Sequence, residues 1–167
     1  MTKNMIAVLF EYNTWANAKI LDKAALLSEN QLTAPTGHSH GSLRELILHM
    51  MRTEWVWRNL CQFGAITQAP PHRGDMPTLD AIHDRWAQED KLMRTYLKGL
   101  NDADLKKTIS LKDRLGNTHS YDLWGMLMHL LLHSMQHRSE VAAILTGYGH
   151  SPGDLDLIFF LGERGQS

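Results

Sequence analysis

The sequence predicts an all-α protein built as a four-helix bundle. Four long segments repeat apolar residues at intervals of three and four, the period of a helix that buries one face. Ser42 and Thr78, which are residues that start helices, stand directly before two of these segments. Connections containing proline or glycine separate the segments. Bundles of this kind often build metal and ligand sites from side chains on facing helices.

The composition limits the classes of function. A chain of 167 residues, 43% of them hydrophobic and 21% charged, favours a single domain over residues 1–167 with a substantial core. Its net charge of −1 offers no basic surplus for binding nucleic acid. No stretch is apolar enough to span a membrane, and no signal-peptide pattern begins the chain. With Cys61 as its single cysteine, no internal disulfide can form, so we expect a cytoplasmic protein.

The first two helices are predicted at residues 2–27 and at about 42–64. A polar connection, residues 28–40, lies between them. Ser42 and Glu45 have the spacing of a capping box, in which each side chain binds the backbone of the other. Gly64 is a suitable residue to end the second helix. A loop with three prolines follows, and Thr78 is predicted to cap the third helix.

A small β-hairpin is predicted at residues 107–121, before the last long helix. Residues 108–111 alternate in polarity, and Gly116 with Asn117 is a turn signal. The fourth helix is predicted at residues 121–146, with Gly147 and Gly149 at its end. The apolar tail at residues 155–160 should dock on the bundle or on another subunit.

Three histidines on the fourth helix are the main functional signal. His129, His133 and His137 recur every four residues, so neighbours in the series lie one above the other on one helix face. The outer two are about 12 Å apart along the axis, too far to share an ion. One adjacent pair can therefore bind a metal with a third ligand, for which His49 is the best candidate. Spacing alone does not say which pair.

The residues around these histidines narrow the chemistry. Ser134, Met135 and Gln136 fill the interval after His133, so the glutamate of the zinc-protease motif is absent. Three imidazoles suit zinc, nickel, cobalt or iron, and leave a position for water or substrate. Two roles are equally expected for Arg138: a salt bridge at the surface or between helices, or the recognition of an anion. Histidines in loops or on polar faces are expected to be solvated: His38, His40, His72, His83, His119 and His150. His38 and His40, two residues apart, could also bind a metal adventitiously.

Several stretches resemble the DinB family of the DinB/YfiT-like metalloenzyme superfamily. They are residues 12–17 (YNTWAN), His49, residues 129–138 (HLLLHSMQHR) and residues 151–161 (SPGDLDLIFFL). The resemblance implies an up-down-down-up four-helix bundle and a divalent metal, nickel or zinc. It implies His49, His133 and His137 as the ligands, and it leaves His129 in a packing or supporting role.

The resemblance also implies an activity and an assembly. Related proteins are metal-dependent S-transferases that use a low-molecular-weight thiol, and family members are often homodimers. A small-molecule substrate and a thiol S-transferase or related hydrolase activity are therefore expected. Two alternatives stay open: a non-catalytic or stress-response module in which the metal staples the second and fourth helices, and a plain bundle with structural histidines.

Overall fold

A computed structural model describes residues 1–112 and 115–165, and most of these residues are helical. Residues 113 and 114, in the predicted hairpin, and residues 166 and 167, at the end of the predicted domain, lie outside the described residues. The helices are α1 (Lys3–Ala24), α2 (Glu29–Thr33), α3 (Leu43–Phe63), α4 (Leu79–Gly99), α5 (Leu123–Gly147) and α6 (Leu157–Arg164). The strands are β1 (Thr108–Lys112) and β2 (Thr118–Asp122), and 3₁₀ turns occupy Arg73–Asp75 and Asp104–Lys106.

The helix ends largely follow the predicted signals. The Ser42 hydroxyl accepts a hydrogen bond from the Glu45 backbone N–H at 3.3 Å, and Thr78 caps α4 in the same way. The Glu45 carboxylate pairs with Arg73 at 2.9 Å instead of completing the predicted capping box. Gly64 follows α3 with a φ of 69°, a left-handed conformation that glycine adopts without steric cost.

Three predicted boundaries were wrong. The first helix ends at Ala24 and not at residue 27. The connection at residues 28–40 contains the short helix α2, whose N-cap Ser28 forms a capping box with Gln31. The last long helix begins at Leu123, because Tyr121 and Asp122 complete the second strand of the hairpin. The hairpin itself is confirmed: β1 and β2 pair antiparallel in a register that sets Ser110 opposite Ser120.

The four long helices surround a common core. α1 packs against α4 and α5, and α3 packs against the same two helices. The up-down-down-up order of helix directions stays a prediction. Within the described residues, none of the helices has the length and apolar character to cross a membrane.

The apolar core consists of two clusters at different levels of the four helices. One includes Ile20, Ile47, Ile82 and Val141, and the other includes Phe10, Cys61, Met93 and Leu127. Each helix contributes buried polar residues between its two apolar stretches. We call five of these residues the polar layer: Asn13, Asn17, Glu54, Ser134 and Arg138.

Glu54 is the acceptor at the centre of the polar layer. Its Oε1 accepts hydrogen bonds from Asn13 Nδ2 at 2.7 Å, Asn17 Nδ2 at 3.1 Å and Ser134 Oγ at 3.1 Å. Its Oε2 accepts one from Trp86 Nε1 at 2.7 Å. Burial raises the pKa of Glu54, and these hydrogen bonds oppose that rise. Four donors converge on two oxygens, an arrangement that suits the ionised carboxylate.

Arg138 belongs to the same layer. Its Nη1 donates to Asn13 Oδ1 at 2.8 Å and to Asn17 Oδ1 at 2.9 Å, so the two asparagines bridge Arg138 to Glu54. Arg138 is 2% exposed. Across the part of the chain that the structure describes, Arg138 therefore forms neither the salt bridge nor the anion site considered from sequence. It connects α5 to α1 through hydrogen bonds to the side-chain amides of two asparagines. The asparagines of the YNTWAN segment are thus structural.

The C-terminal segment docks on α1, one of the two predicted possibilities. Tyr12 donates its hydroxyl hydrogen to the Leu155 carbonyl at 2.8 Å, and buried Phe160 packs on Tyr12 and Trp15. Contact with another subunit stays a prediction.

Candidate metal centre

Helices α3 and α5 bring the three histidines named from sequence together. The ring centroids of His49 and His133 are 5.2 Å apart, and His137 lies 4.8 Å from His49 and 4.5 Å from His133. His49 reaches across from α3, while the other two lie one turn apart on α5. Whether all three are ligands stays a prediction.

His40, from the loop before α3, joins this cluster. Its ring stacks on His49 with a centroid distance of 3.7 Å and meets His137 edge-on at 5.3 Å. One ligand atom from each of His40, His49 and His137 lies within 4.8 Å of the others. No other set of three or more histidine, cysteine or carboxylate side chains within residues 1–112 and 115–165 meets this criterion.

The sequence allowed His40 only adventitious metal binding and did not place it with His49, because loops carry no periodic signal. The residue is exposed, as expected, but its backbone φ of 64° and the following Gly41 turn the chain back toward α3. The Ser42 N–H donates to the His40 carbonyl at 3.0 Å, which tightens this turn. The sequence does show that His40 lies two residues before the N-cap Ser42. That position alone does not predict the direction of its side chain.

One pair of nitrogens, from α3 and α5, has a separation that fits a shared ion. His49 Nε2 and His133 Nε2 are 3.4 Å apart. Two nitrogens at the usual zinc distance, at adjacent corners of a tetrahedron, would be separated by about 3.3 Å. His133 Nδ1 is buried and has no hydrogen-bond partner in the described part of the chain, although a neutral imidazole offers one donor and one acceptor nitrogen. The donor set therefore fits a borderline transition metal better than calcium or magnesium, which prefer oxygen ligands.

Burial disfavours the charged form of His49 and His133. Burial, together with the neighbouring His40, His137 and other positive groups, lowers the pKa of His49 to about 4. Burial and the neighbouring histidines likewise lower the pKa of His133 to about 4. Neutral imidazoles keep a lone pair free, which metal binding requires.

Glu140 fixes the orientation of His137 and the position of the loop. Its Oε2 lies 3.5 Å from His137 Nδ1 and also accepts a hydrogen bond from the Ser39 hydroxyl. Burial alone would raise the pKa of Glu140, but the hydrogen bonds from Ser39 and His137 outweigh it and lower the pKa. A carboxylate on Nδ1 leaves Nε2 of His137 to face the cluster.

A cavity of about 550 Å³ opens beside the histidines. Its wall includes His49, His133, Arg52, Trp57 and Val56. This volume is in the range of small-molecule sites. His129 is the remaining histidine of the series on α5. Its ring packs on Trp57 with a centroid distance of 4.5 Å, in agreement with the packing role implied for it.

Cys61 lies outside this cavity, at the end of α3. Burial raises the pKa of its thiol to about 12, so it is a packing residue and not a nucleophile.

Comparison with known proteins assigns the family. The model of the DinB family matches residues 1–165. The chain belongs to the DinB family. It is 20% identical over 162 residues to Protein DinB of Bacillus subtilis (strain 168), covering 92% of each chain.

The fold of this DinB-family chain also matches a solved structure. A DinB-like protein from Bacillus subtilis superposes with a TM-score of 0.62 at 14% identity, covering 86% of this chain and 92% of the other. At this identity the match supports the fold alone, so the chemistry must be argued from the site.

Proposed function

We propose that this chain is a metal-dependent enzyme that binds one nickel or zinc ion through His49, His133 and His137. The observation that supports this most is the convergence of histidine rings from α3, α5 and the preceding loop beside a cavity. Catalytic metal sites keep a position open to substrate, and this cavity provides the access.

The reaction we propose is S-transfer from a low-molecular-weight thiol, with hydrolysis as the related alternative. A bound divalent ion supplies Lewis acidity, which lowers the pKa of a coordinated thiol or water. The chain's own residues hold the site: Glu140 orients His137, and Trp57 and Val56 give the cavity part of its wall.

A second candidate function has support from His40. A fourth histidine could saturate the ion and make the site a structural staple between α3 and α5, since structural zinc sites are closed. His40 is the exposed member of the cluster and lies on a loop, whereas His137 is buried. We therefore favour His40 as a ligand or gate that a substrate displaces.

Metal content tests the proposal directly. Untagged protein purified without chelator should contain about one equivalent of transition metal by mass spectrometry. His49→Ala and His133→Ala should lose it, and His83→Ala, which removes an exposed histidine of α4, should keep it. Equal metal in all four proteins, or none in the wild type even after adding zinc or nickel, would refute the site.

His40→Ala separates the two candidate functions. Retention of metal, with unchanged or tighter binding of 2-mercaptoethanol, supports an open site with a displaceable His40. Loss of metal and a large fall in melting temperature support the closed structural site. Assembly as a homodimer and a cytoplasmic location remain part of this proposal.

A further inference from the structure

Arg52 is a cation without a partner on the wall of the histidine cavity. Its guanidinium has no hydrogen-bond acceptor or carboxylate partner among residues 1–112 and 115–165, and its Nε is fully buried. Within those residues, the buried side-chain atoms that lack a partner are Arg52 Nε and His133 Nδ1. Both belong to residues that line this one cavity.

An unpaired, partly buried charge is costly, and folded proteins rarely leave one without a purpose. Arg58, a buried arginine further along α3, shows the usual solution, since it pairs with Glu89 and also donates to Gln62. Glu45 shares the cavity wall with Arg52, but its carboxylate is taken by Arg73. A negative group from outside the chain would therefore satisfy Arg52.

The position of Arg52 fits a ligand that also reaches the histidines. Arg52 follows His49 by three residues on α3, so the two side chains lie on the same face of that helix. Thr53 Oγ1, also on the wall, lies 3.4 Å from His49 Nε2. The indole of Trp57 and the side chains of Leu48 and Val56 supply apolar surface on the same cavity.

We propose that Arg52 binds a carboxylate of the substrate, so that the cavity selects small molecules with an apolar body and one carboxylate. A guanidinium presents two parallel N–H donors that match the two oxygens of a carboxylate. One free cation balances a monoanionic carboxylate better than a phosphate monoester, which carries nearly two charges. This inference rests on the proposed function for its metal and thiol, but the role of Arg52 can be tested apart from them.

The test compares two thiols of equal length, 3-mercaptopropionate and its neutral amide, on the zinc-loaded full-length protein by calorimetry. The carboxylate should bind about tenfold to a hundredfold tighter than the amide, the range expected for a charge-assisted hydrogen bond. Arg52→Gln should abolish this preference and leave the affinity for the amide unchanged. Arg52→Lys should keep part of it, because the charge remains and the planar donor pair is lost.

Two controls keep the result interpretable. Arg164→Gln removes an exposed arginine that pairs with Glu11, and it should keep the full preference. Metal content, measured on every variant, should stay at about one equivalent, because Arg52 is not a ligand. If Arg52→Gln loses metal, Arg52→Lys takes its place. A reduced preference of Arg52→Lys for the carboxylate over the amide is then the deciding result.

A third arm separates this inference from the metal proposal. Butyrate and butyramide are titrated into chelator-treated protein and followed by tryptophan fluorescence, since Trp57 lines the cavity. A preference for butyrate that Arg52→Gln abolishes supports Arg52 even if neither thiol binds and the metal proposal fails. Equal affinity for acid and amide in both arms, or a preference that survives in Arg52→Gln, overturns the inference.

Discussion

The polar layer and the histidine cluster are neighbours in sequence but opposite in character. On α5, His133 precedes Ser134 and His137 precedes Arg138, so each residue of one region is followed by a residue of the other. Adjacent helix positions differ by about 100° in direction. Arg138 therefore meets the asparagines of α1 and Ser134 meets Glu54 of α3, whereas His133 and His137 meet His49 and the loop. One helix thus serves two polar regions.

The two regions differ in whether their polar atoms have partners inside the chain. In the polar layer, Glu54 accepts four hydrogen bonds and Arg138 donates to two asparagines. In the histidine cavity, Arg52 Nε and His133 Nδ1 have no hydrogen-bond partner among the residues that the structure describes. Satisfied buried groups specify the packing of helices, whereas unsatisfied groups beside a cavity are available to a ligand.

The largest effect should come from Glu54→Gln in the polar layer. The substitution removes the negative charge that balances Arg138 and turns an amide N–H₂ toward existing donors. We expect the free energy of unfolding, from urea denaturation of metal-free protein, to fall by about 3–5 kcal/mol. Glu11→Gln, at an exposed position, should change it by less than about 0.5 kcal/mol. Equal stability of both variants would mean that the layer is not a determinant of the fold.

Metal binding should stabilise the wild type and not the site variant. Zinc at a thousandfold excess over its dissociation constant should raise the free energy of unfolding by about 4 kcal/mol. His49→Gln should lose this increase while its metal-free stability stays close to that of the wild type, because the cluster is not needed for packing. The measurement is urea denaturation with and without zinc. A strongly destabilised metal-free His49→Gln would show that the histidine cluster, like the polar layer, stabilises the fold.

Glu140→Gln should have a smaller effect, confined to the metal. The amide keeps the size of the side chain but weakens its hold on His137, so metal affinity should fall about tenfold to a hundredfold. Competition with a chelator measures the dissociation constant, and Glu11→Gln is the matched control. Unchanged affinity would show that packing alone orients His137.

The smallest effect should be a pH dependence of the metal-free protein. The folded-state pKa values of His49 and His133 are near 4, below the ordinary value of 6.5, so the unfolded chain binds more protons between these limits. Stability from these residues is present above pH 6.5 and is lost as the pH falls toward 4. Because both are only half-buried, the loss should be modest.

The double variant His49→Gln/His133→Gln isolates this contribution from the carboxylates that titrate nearby. Its free energy of unfolding should depend less on pH between 6.5 and 4 than that of the wild type, as measured by denaturation at several pH values. The neighbouring groups His40, His129, His137, Arg52 and Glu140 remain in both proteins. Parallel pH profiles would show that the two rings are solvated in the metal-free state.

Much of the architecture could be predicted because its causes are local. Apolar periodicity, the cap residues Ser42 and Thr78 and the turn glycine Gly64 act within a few residues, and each predicted helix exists near its expected bounds. The short helix α2 escaped because five residues are too few to show a period. The start of α5 was placed two residues early because Tyr121 and Asp122 pair with β1, a contact that periodicity does not report.

The sequence by itself determined the long helices, the series of histidines on one face of α5 and the choice of His49 as a candidate ligand. The rise and the turn per residue of a helix are fixed, so the spacing of residues shows which of them share a face. Only the tertiary structure decided which polar residues found partners. It joined Arg138 to the asparagines of α1 and brought His40 over His49 from a loop. It also left Arg52 on the cavity wall without a partner among residues 1–112 and 115–165. These outcomes depend on distances between elements far apart in the chain, which the packing of helices sets and which no local pattern encodes.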